Sequence, residues 1–176
     1  MRKLFVLTAL AIATGCFAQE NAGFTPPAKE LKALNFMEGR WHGSETYWFG
    51  PKPMKAKVVI VSSWTLNKMY MKGDATMLVQ GMKTPMRGMS MFTYDGRAKA
   101  FVGYWFDSMA PVATKMTGTA KGDTLEITGE SEMQPGQPTT MRASWTKKGA
   151  GHIDFTMEAK MGDKWTKVIE GHYDKS

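Results

Sequence analysis

The sequence predicts an all-β protein, an antiparallel sheet of about ten strands rolled into an up-and-down barrel and preceded by a short helix. The clearest evidence is the stretch from Ile153 to Met161, where every odd position is apolar and every even position is polar. Successive strand side chains point to opposite faces, so this alternation indicates one wet face and one buried face. Similar stretches recur about ten times from about residue 40 onwards, each closed by Gly, Pro or Asp. No connection is long enough for a crossover helix, so consecutive strands should pair as neighbours.

One helical segment precedes the strands, from Ala28 to about Phe36. Leu31 and Leu34 are three residues apart and are surrounded by charged residues. A helix this short is marginal by itself, so it must dock on the barrel. We expect it to lie at the barrel mouth with Leu31, Leu34 and Phe36 facing inward.

Turn residues delimit the strands in order along the chain. Gly50 and Pro51 end the first strand, the second is rich in Val and Ile, and Asp95-Gly96 predicts a tight hairpin after the fourth. The fifth strand is apolar on both faces and is therefore expected to be the most buried. The predicted strands span residues 39–49, 55–64, 66–79, 86–94, 98–107, 112–120, 124–132, 139–146, 152–161 and 165–173.

The alternation also predicts which side chains of the later strands enter the interior. Because the period is two, a slip of one residue would reverse every assignment, so the register is strongly specified. The predicted inward set is Val112, Met116, Leu125, Ile127, Met141, Ala143, Trp145, Ile153, Phe155, Met157, Ala159 and Met161. The predicted outward set is Lys115, Glu126, Thr128, Glu130, Arg142, Asp154, Glu158 and Lys160.

Residues 1–18 have the pattern of a secretory signal peptide. Two basic residues precede an apolar segment, residues 4–13, that is too short to span a bilayer. Cleavage after Ala18 would release a soluble protein, whereas a lipobox at residues 13–16 would lipidate Cys16 and anchor the chain to a membrane. Both routes predict export to a bacterial periplasm or cell envelope, and neither leaves a transmembrane segment after cleavage.

The rest of the chain suits a single domain. Residues 19–29 show little periodicity and are expected to form a flexible linker, and residues 30–176 are enough for one barrel with its own core. Cys16 is the only cysteine, so no disulfide is expected in the mature chain. The formal net charge is +7, but the lysines are scattered over many strands rather than clustered, so no nucleic-acid partner is expected.

Several motifs resemble a known family. Leu34 to Gly43 looks like the entry segment of small bacterial lipocalin-like barrels, in which a helical turn leads into Gly-x-Trp-x-Gly. Tyr104 to Met109, Lys115 to Thr119 and Leu125 to Glu130 are similar to the bacterial family catalogued as domain of unknown function 1579. The resemblance covers essentially the whole mature chain and implies a calycin-type barrel, distantly similar to nitrobindin. It implies no established activity and no agreed catalytic residues.

Methionine is unusually frequent, with 16 residues in the chain. Met89 and Met91 are two residues apart and should share a strand face, where two thioethers are suitable ligands for Cu(I). Methionine is also an unbranched side chain that fills irregular apolar interiors and adapts to ligands. We adopt the second interpretation, a methionine-lined pocket, and keep a Cu(I) site at Met89 and Met91 as an alternative.

The three histidines, His42, His152 and His172, have no spacing typical of metal ligands. Haem-binding barrels of the nitrobindin type share the entry motif and use one histidine of a late strand as the iron ligand, which makes His172 the candidate by resemblance. Its place in the alternation of the last strand points it outward, which argues against haem. We therefore predict no cofactor, with haem at His172 or Cu(I) as alternatives.

No motif for covalent or acid–base catalysis stands out. There is no Gly-x-Ser-x-Gly, and no histidine is close in sequence to the Asp107-Ser108 pair. Glu45 and Asp107 are the acids that lie near strand faces carrying Trp or Tyr, where a pocket carboxylate would be useful. Asp107 shares a face with Trp105 and has two readings, a pocket group or an acceptor of backbone N–H groups in the following turn.

Together these features predict an exported, non-enzymatic barrel that binds a small apolar or amphipathic molecule in its interior. The alternatives are a ligand-free envelope interaction module and a small cyclase or isomerase that uses the same cavity. An interior void would favour binding or catalysis, and a solid core would favour the interaction module. The predicted ligand-binding residues are Trp41, Met89, Met91, Tyr104, Trp105, Asp107, Met116, Met141, Trp145, Phe155 and Met157.

Overall fold

The computed structural model of the chain describes residues 26–134 and 136–176, in which one short helix precedes ten strands. The predicted signal peptide and its Cys16 lie outside the described residues. The helix spans Lys29–Met37. The strands are β1 Gly39–Tyr47, β2 Met54–Thr65, β3 Tyr70–Val79, β4 Met86–Asp95, β5 Ala100–Asp107, β6 Ala110–Lys121, β7 Thr124–Gln134, β8 Gln137–Lys147, β9 His152–Met161 and β10 Lys164–Lys175.

The ten strands form one closed antiparallel barrel, which confirms the predicted fold class. Every strand pairs with its neighbours in sequence, and β1 pairs with β10 to close the ring. The turns therefore alternate between two ends. The helix end carries the N-terminal helix and the β2–β3, β4–β5, β6–β7 and β8–β9 turns; the far end carries the β1–β2, β3–β4, β5–β6, β7–β8 and β9–β10 turns.

The predicted inward and outward faces of the late strands are largely reproduced. Leu125, Ala143 and Ala159 are completely buried in the core, and the predicted outward residues are exposed or half-buried. Val112 and Met161 differ from the expectation, because their side chains are 77% and 51% exposed. Both have the inward direction that the alternation predicts, but they lie beside far-end turns. At the end of the barrel, neighbouring strands no longer cover an inward side chain.

The N-terminal helix is a 3₁₀ helix that closes one mouth of the barrel. A 3₁₀ helix has three residues per turn, so side chains three apart lie in one row. Leu31, Leu34 and Met37 form such a row and are all buried, whereas Phe36 is only partly buried. Below the helix, the indole Nε1 of Trp41 donates a hydrogen bond to the carbonyl oxygen of Met37 at 2.8 Å. Trp41 thus seals the helix end from inside.

Several strand boundaries differ from the sequence prediction by two or more residues, and turn conformation accounts for two of them. Leu66, Asn67 and Lys68 have φ values of 48°, 55° and 63°, so they form a left-handed turn and β3 begins only at Tyr70. At the β5–β6 turn the chain reverses at once, so β6 begins at Ala110. Within the described residues, no helix is both long and apolar enough to cross a membrane.

Candidate functional site

A buried carboxyl group lies between two tyrosine hydroxyls inside the barrel. The hydroxyl of Tyr47 donates to Oε2 of Glu45, and the hydroxyl of Tyr173 donates to Oε1. Glu45 is 7% exposed, Tyr47 5% and Tyr173 3%. We call these three residues the acid–phenol cluster. Each carboxyl oxygen accepts a hydrogen bond from one tyrosine, and even when the carboxyl is protonated its carbonyl oxygen has a second acceptor position, so capacity remains for a further donor.

The register of the closing strands brings the cluster together. Glu45 and Tyr47 are two apart on β1 and share its inner face, and Glu45 lies opposite Gly171 of β10. Gly43, opposite Tyr173, leaves room for the tyrosine ring. A Cβ atom at Gly171 would lie only 2.8 Å from the Tyr173 hydroxyl and 3.1 Å from Cγ of Glu45. The two glycines therefore leave the space through which the Tyr173 ring reaches Glu45.

The environment of the cluster favours the protonated acid. Burial raises the pKa of the Glu45 carboxyl above its ordinary value, and hydrogen bonds from Tyr173 and Tyr47 offset part of that rise. Burial, followed by the nearby charge of Glu45, raises the pKa of the Tyr47 and Tyr173 hydroxyls. Both phenols therefore remain proton donors.

A row of aromatic rings runs across the interior to this cluster. The Phe92 and Trp145 centroids are 5.2 Å apart in an edge-to-face arrangement, and the Trp145 and Phe155 centroids are 4.9 Å apart. Phe155 in turn lies 6.5 Å from Tyr173. Phe92 belongs to β4 and Trp145 to β8, so the row connects opposite walls of the barrel. The aromatic row thus crosses the tube and lines it with apolar rings that are inclined by 33–78° to one another.

Trp105 is fixed on the inner wall between the aromatic row and the far end. Its indole Nε1 donates to Oδ2 of Asp107 at 2.9 Å, and its ring lies against Gly88, where a Cβ atom would collide with it. Asp107 Oδ1 also accepts the backbone N–H groups of Met109 and Ala110, at 2.7 and 2.9 Å. Asp107 is therefore an acceptor in the turn and also positions the Trp105 ring.

The predicted ligand-binding residues divide between the two faces of the sheet. Eight point into the barrel: Trp41, Trp105, Asp107, Met116, Met141, Trp145, Phe155 and Met157. Met89, Met91 and Tyr104 lie on the outer face instead. Their partners in the sheet include Lys72 and Asp74, which form an exposed ion pair at 2.8 Å. The outer placement follows from parity, because the buried Phe92 is an odd number of residues from Met89 and Met91.

The candidates for the two alternative metal sites lie on the outer face of the barrel. Met89 and Met91 share one face of β4, as predicted for a Cu(I) site, and His172, the candidate for haem, lies on β10. His172 is exposed, with Nδ1 2.7 Å from Oδ1 of Asp154, and His42 and His152 are exposed as well. In residues 26–134 and 136–176, no group of three or more His, Cys, Asp or Glu side chains is arranged to hold a metal ion.

The two tyrosines of the cluster are not among the predicted site residues, although the sequence places Glu45 near a strand face that carries aromatic residues. The signal for Tyr47 was present, because Trp41, Glu45 and Tyr47 share one parity and Trp41 was expected inside. Tyr173 carried no such signal. Its position beside Glu45 depends on the pairing of the first and last strands, which are far apart in sequence.

Two surface grooves lie outside the ring of strands, on either side of the N-terminal helix. One has a volume of about 770 Å³ and lies between the helix and the β2–β3 turn. The other, of about 490 Å³, lies between the helix and the β6–β7 and β8–β9 turns, and it includes Lys32, Lys147 and Lys175. Lys175 Nζ is 5.4 Å from the centroid of the Trp41 ring, so this lysine packs over the plug that closes the helix end.

Comparisons with known proteins agree with the fold. A family model described as "Protein of unknown function (DUF1579)" matches residues 26–175. The crystal structure of Rv2717c from M. tuberculosis is similar with a TM-score of 0.62 and 11% identity, covering 85% of this chain and 99% of that chain. The S-type phycobiliprotein lyase CPES from Guillardia theta is similar with a TM-score of 0.51 and 8% identity, covering 85% of this chain and 98% of that chain. No curated protein matches the chain significantly.

Proposed function

The chain belongs to the DUF1579 family, and from this premise we propose that it binds a small amphipathic molecule inside the barrel. The molecule enters from the far end and lies against the aromatic row, with Trp105, Met141 and Met157 around its apolar part. Its polar group carries a hydrogen-bond donor and meets the acid–phenol cluster. No covalent chemistry is part of this function.

The buried acid is the observation that carries the proposal. Placing a carboxyl group in an apolar interior costs free energy, which the two tyrosine donors offset only in part, as the raised pKa of Glu45 indicates. A barrel that needed only a stable core would be served better by an apolar side chain at this position. Perturbed titratable groups in concave, aromatic surroundings are typical of binding and catalytic sites.

The composition of the inner wall supports an amphipathic rather than a fully polar ligand. Trp105, Trp145 and Met157 point into the tube and pack against the core, yet each remains partly exposed. An apolar ligand that covers these side chains would remove their remaining surface from water. Methionine adapts to ligands of different shape because its side chain is unbranched and polarisable.

The proposal includes export. The leader pattern of residues 1–18 would deliver the barrel to a bacterial periplasm or envelope, with Cys16 as the lipid attachment point if the lipobox is used. Intact-mass measurement of the protein from its native cells distinguishes the outcomes. A mature chain beginning at Gln19 supports soluble export, a lipid-sized mass increase on Cys16 supports anchoring, and an uncleaved chain contradicts both.

A binding assay with a defined probe tests the proposal. N-phenyl-1-naphthylamine is a small apolar amine with one N–H donor, and its fluorescence rises in apolar surroundings. We expect Trp105→Ala to weaken probe binding by roughly tenfold or more, because a large aromatic contact surface is lost. Tyr104→Ala is the matched control, since Tyr104 is the adjacent residue on the outer face, beneath Lys115 Nζ at 6.0 Å from its ring centroid.

Two results of this assay would contradict the proposal. One is equal affinity in the wild type, Trp105→Ala and Tyr104→Ala, which would place the probe elsewhere on the protein. The other is unchanged binding in Glu45→Leu, since a side chain without an acceptor would then serve as well as the polar anchor. Independently of the probe, native mass spectrometry of protein from its own source would reveal a retained ligand by its extra mass.

A further inference from the structure

Large exposed apolar side chains are concentrated at the far end of the barrel. Among the described residues, eleven large hydrophobic side chains are exposed. Leu66 is the one in a turn at the helix end, and Val61, Leu78 and Phe106 lie on the outer face of β2, β3 and β5. The other seven lie in or beside far-end turns, and we call them the apolar rim: Trp48, Phe49, Met54, Met82, Met109, Val112 and Met161.

The apolar rim is built from four separate connections. Trp48, Phe49 and Met54 belong to or flank the β1–β2 connection, and Met82 belongs to the β3–β4 connection. The β5–β6 and β9–β10 turns supply the remaining three residues, of which Met109 is 65% exposed. An up-and-down barrel places all these connections at one end, so the rim surrounds one mouth of the tube.

Basic side chains accompany the rim. Glu132 and Asp163 are the exposed acids in or beside the far-end turns of the described chain. Six exposed basic residues lie within three positions of the same turns: Lys52, Lys55, Lys83, Arg87, Lys160 and Lys164. The far end therefore combines protruding apolar groups with a net positive charge.

Trp48 and Phe49, the two aromatic residues of the rim, are held in place from below. The backbone N–H of Trp48 donates to the carbonyl oxygen of Val168 at 2.9 Å, and Lys167 Nζ is 6.0 Å from the Trp48 ring centroid. The Phe49 ring packs at 5.8 Å from Tyr47 of the acid–phenol cluster. The aromatic tip of this connection is therefore anchored to the barrel wall while its outer surface remains in water.

We propose that the far end docks on an anionic lipid bilayer. Aromatic and methionine side chains would enter the interfacial region of the bilayer, where tryptophan is favoured, and the lysines would meet anionic headgroups. Exposed apolar surface of this kind is unusual on a monomer without a partner. A second copy of the chain fits less well, because two such rims facing each other would oppose like charges. Docking would present the barrel mouth to the membrane, but it depends on no bound ligand.

Vesicle sedimentation tests this surface. We expect the protein to bind large vesicles of phosphatidylcholine mixed with phosphatidylglycerol, and to bind phosphatidylcholine alone more weakly. Phe49→Ser combined with Met109→Ser should weaken binding to the mixed vesicles by roughly tenfold or more. Leu66→Ser is the matched control, because Leu66 is 64% exposed and lies at the opposite end.

Two double variants with the same loss of charge distinguish a contact made by the far-end lysines from an effect of the overall net charge. Lys52→Gln with Lys83→Gln should weaken binding and reduce its salt dependence, whereas Lys121→Gln with Lys148→Gln, at the helix end, should leave binding unchanged. Circular dichroism of each variant verifies that the fold is retained.

Three outcomes would overturn the inference. The first is equal loss of vesicle binding from rim and helix-end variants. The second is equal binding to neutral and anionic vesicles. The third is a concentration-dependent dimer in sedimentation velocity that the rim substitutions dissociate, which would assign the rim to a second copy. The vesicle measurement contains no interior probe, so its failure and failure of interior binding are independent.

Discussion

Glu45 lies where an unpaired charge would be costly, and its two tyrosine partners hold a carboxyl that can keep its proton. Burial is the main cause of its raised pKa, and the hydrogen bonds act in the opposite direction. Gly43 and Gly171 provide the room for this arrangement, because a side chain at either position would collide with Tyr173.

The raised pKa of Glu45 predicts a specific pH dependence of stability. The native protein retains this proton at pH values where the unfolded chain, with a pKa near 4.5, has lost it. The stabilising contribution is therefore complete below about pH 4.5 and is lost as the pH rises through the folded-state pKa. Glu45→Gln removes this loss, so its melting temperature should rise relative to the wild type as the pH increases. Thermal unfolding followed by circular dichroism across this range measures the difference.

Glu130→Gln is the control for this titration, because Glu130 is exposed on the outer face. Its melting temperature should differ from the wild type by a nearly constant amount at all pH values. A constant difference for Glu45→Gln as well would mean that the Glu45 carboxyl titrates alike in the folded and unfolded chains. That result would remove the electrostatic basis for treating the cluster as a polar anchor.

At the scale of elements, the N-terminal helix shows how spacing selects a helix type. Leu31, Leu34 and Met37 follow each other at intervals of three, which aligns them in a 3₁₀ helix. In an α-helix, which has 3.6 residues per turn, the same residues would each be offset by about 60° and would occupy a broader stripe of the surface. The expectation that Phe36 faces inward beside Leu31 and Leu34 was based on a helix of unspecified type. The structure gives that inner position to Met37.

Removal of the central side chain of this row should destabilise the barrel. Leu34 is completely buried between the helix and the strands, so Leu34→Ala should lower the free energy of unfolding by about 2–4 kcal/mol. Urea denaturation measures the change. Lys32→Ala, on the exposed side of the same helix, should alter it by no more than about 0.5 kcal/mol. Similar small effects of both substitutions would indicate that the helix does not plug the barrel.

At the scale of the whole molecule, closure between β1 and β10 removes the free edges of the sheet. Seven residues of β1, from Trp41 to Tyr47, pair with β10 residues from Lys175 to Ile169. A free edge strand exposes unpaired backbone groups, whereas a closed barrel satisfies them all around the ring. The acid–phenol cluster lies on this seam, because Glu45 and Tyr173 belong to the two closing strands.

Closure predicts uniform protection from amide hydrogen exchange. We expect the amides of 41–47 and 169–175 to exchange about as slowly as those of 124–131 in β7, because all lie in paired strands. Exchange followed by mass spectrometry at single-peptide resolution measures the rates. Fast exchange confined to β1 and β10 would show an open sheet and would separate Glu45 from Tyr173.

Much of the fold could be predicted because strand patterns are local. The stretch from Ile153 to Met161 identifies its own faces, and the turn at Asp95-Gly96 identifies its own hairpin. Less of the candidate site could be predicted from the sequence. The methionine-rich sequence suggested that Met89 and Met91 line the interior. Because side chains alternate along a strand and Phe92 is buried, Met89 and Met91 lie on the outer face instead. Tyr173 could not be selected, because nothing near it in sequence indicates which acid it will meet.

The sequence by itself determined the strand alternation, the antiparallel order of neighbours and the presence of a docking helix, because each depends on residues a few positions apart. The tertiary structure alone decided the register in which β1 pairs with β10, that Glu45 lies between Tyr47 and Tyr173, and that the apolar rim gathers at one mouth. These features join residues from opposite ends of the chain or from several turns. Their juxtaposition depends on the register and closure of the whole ring, which no local pattern specifies.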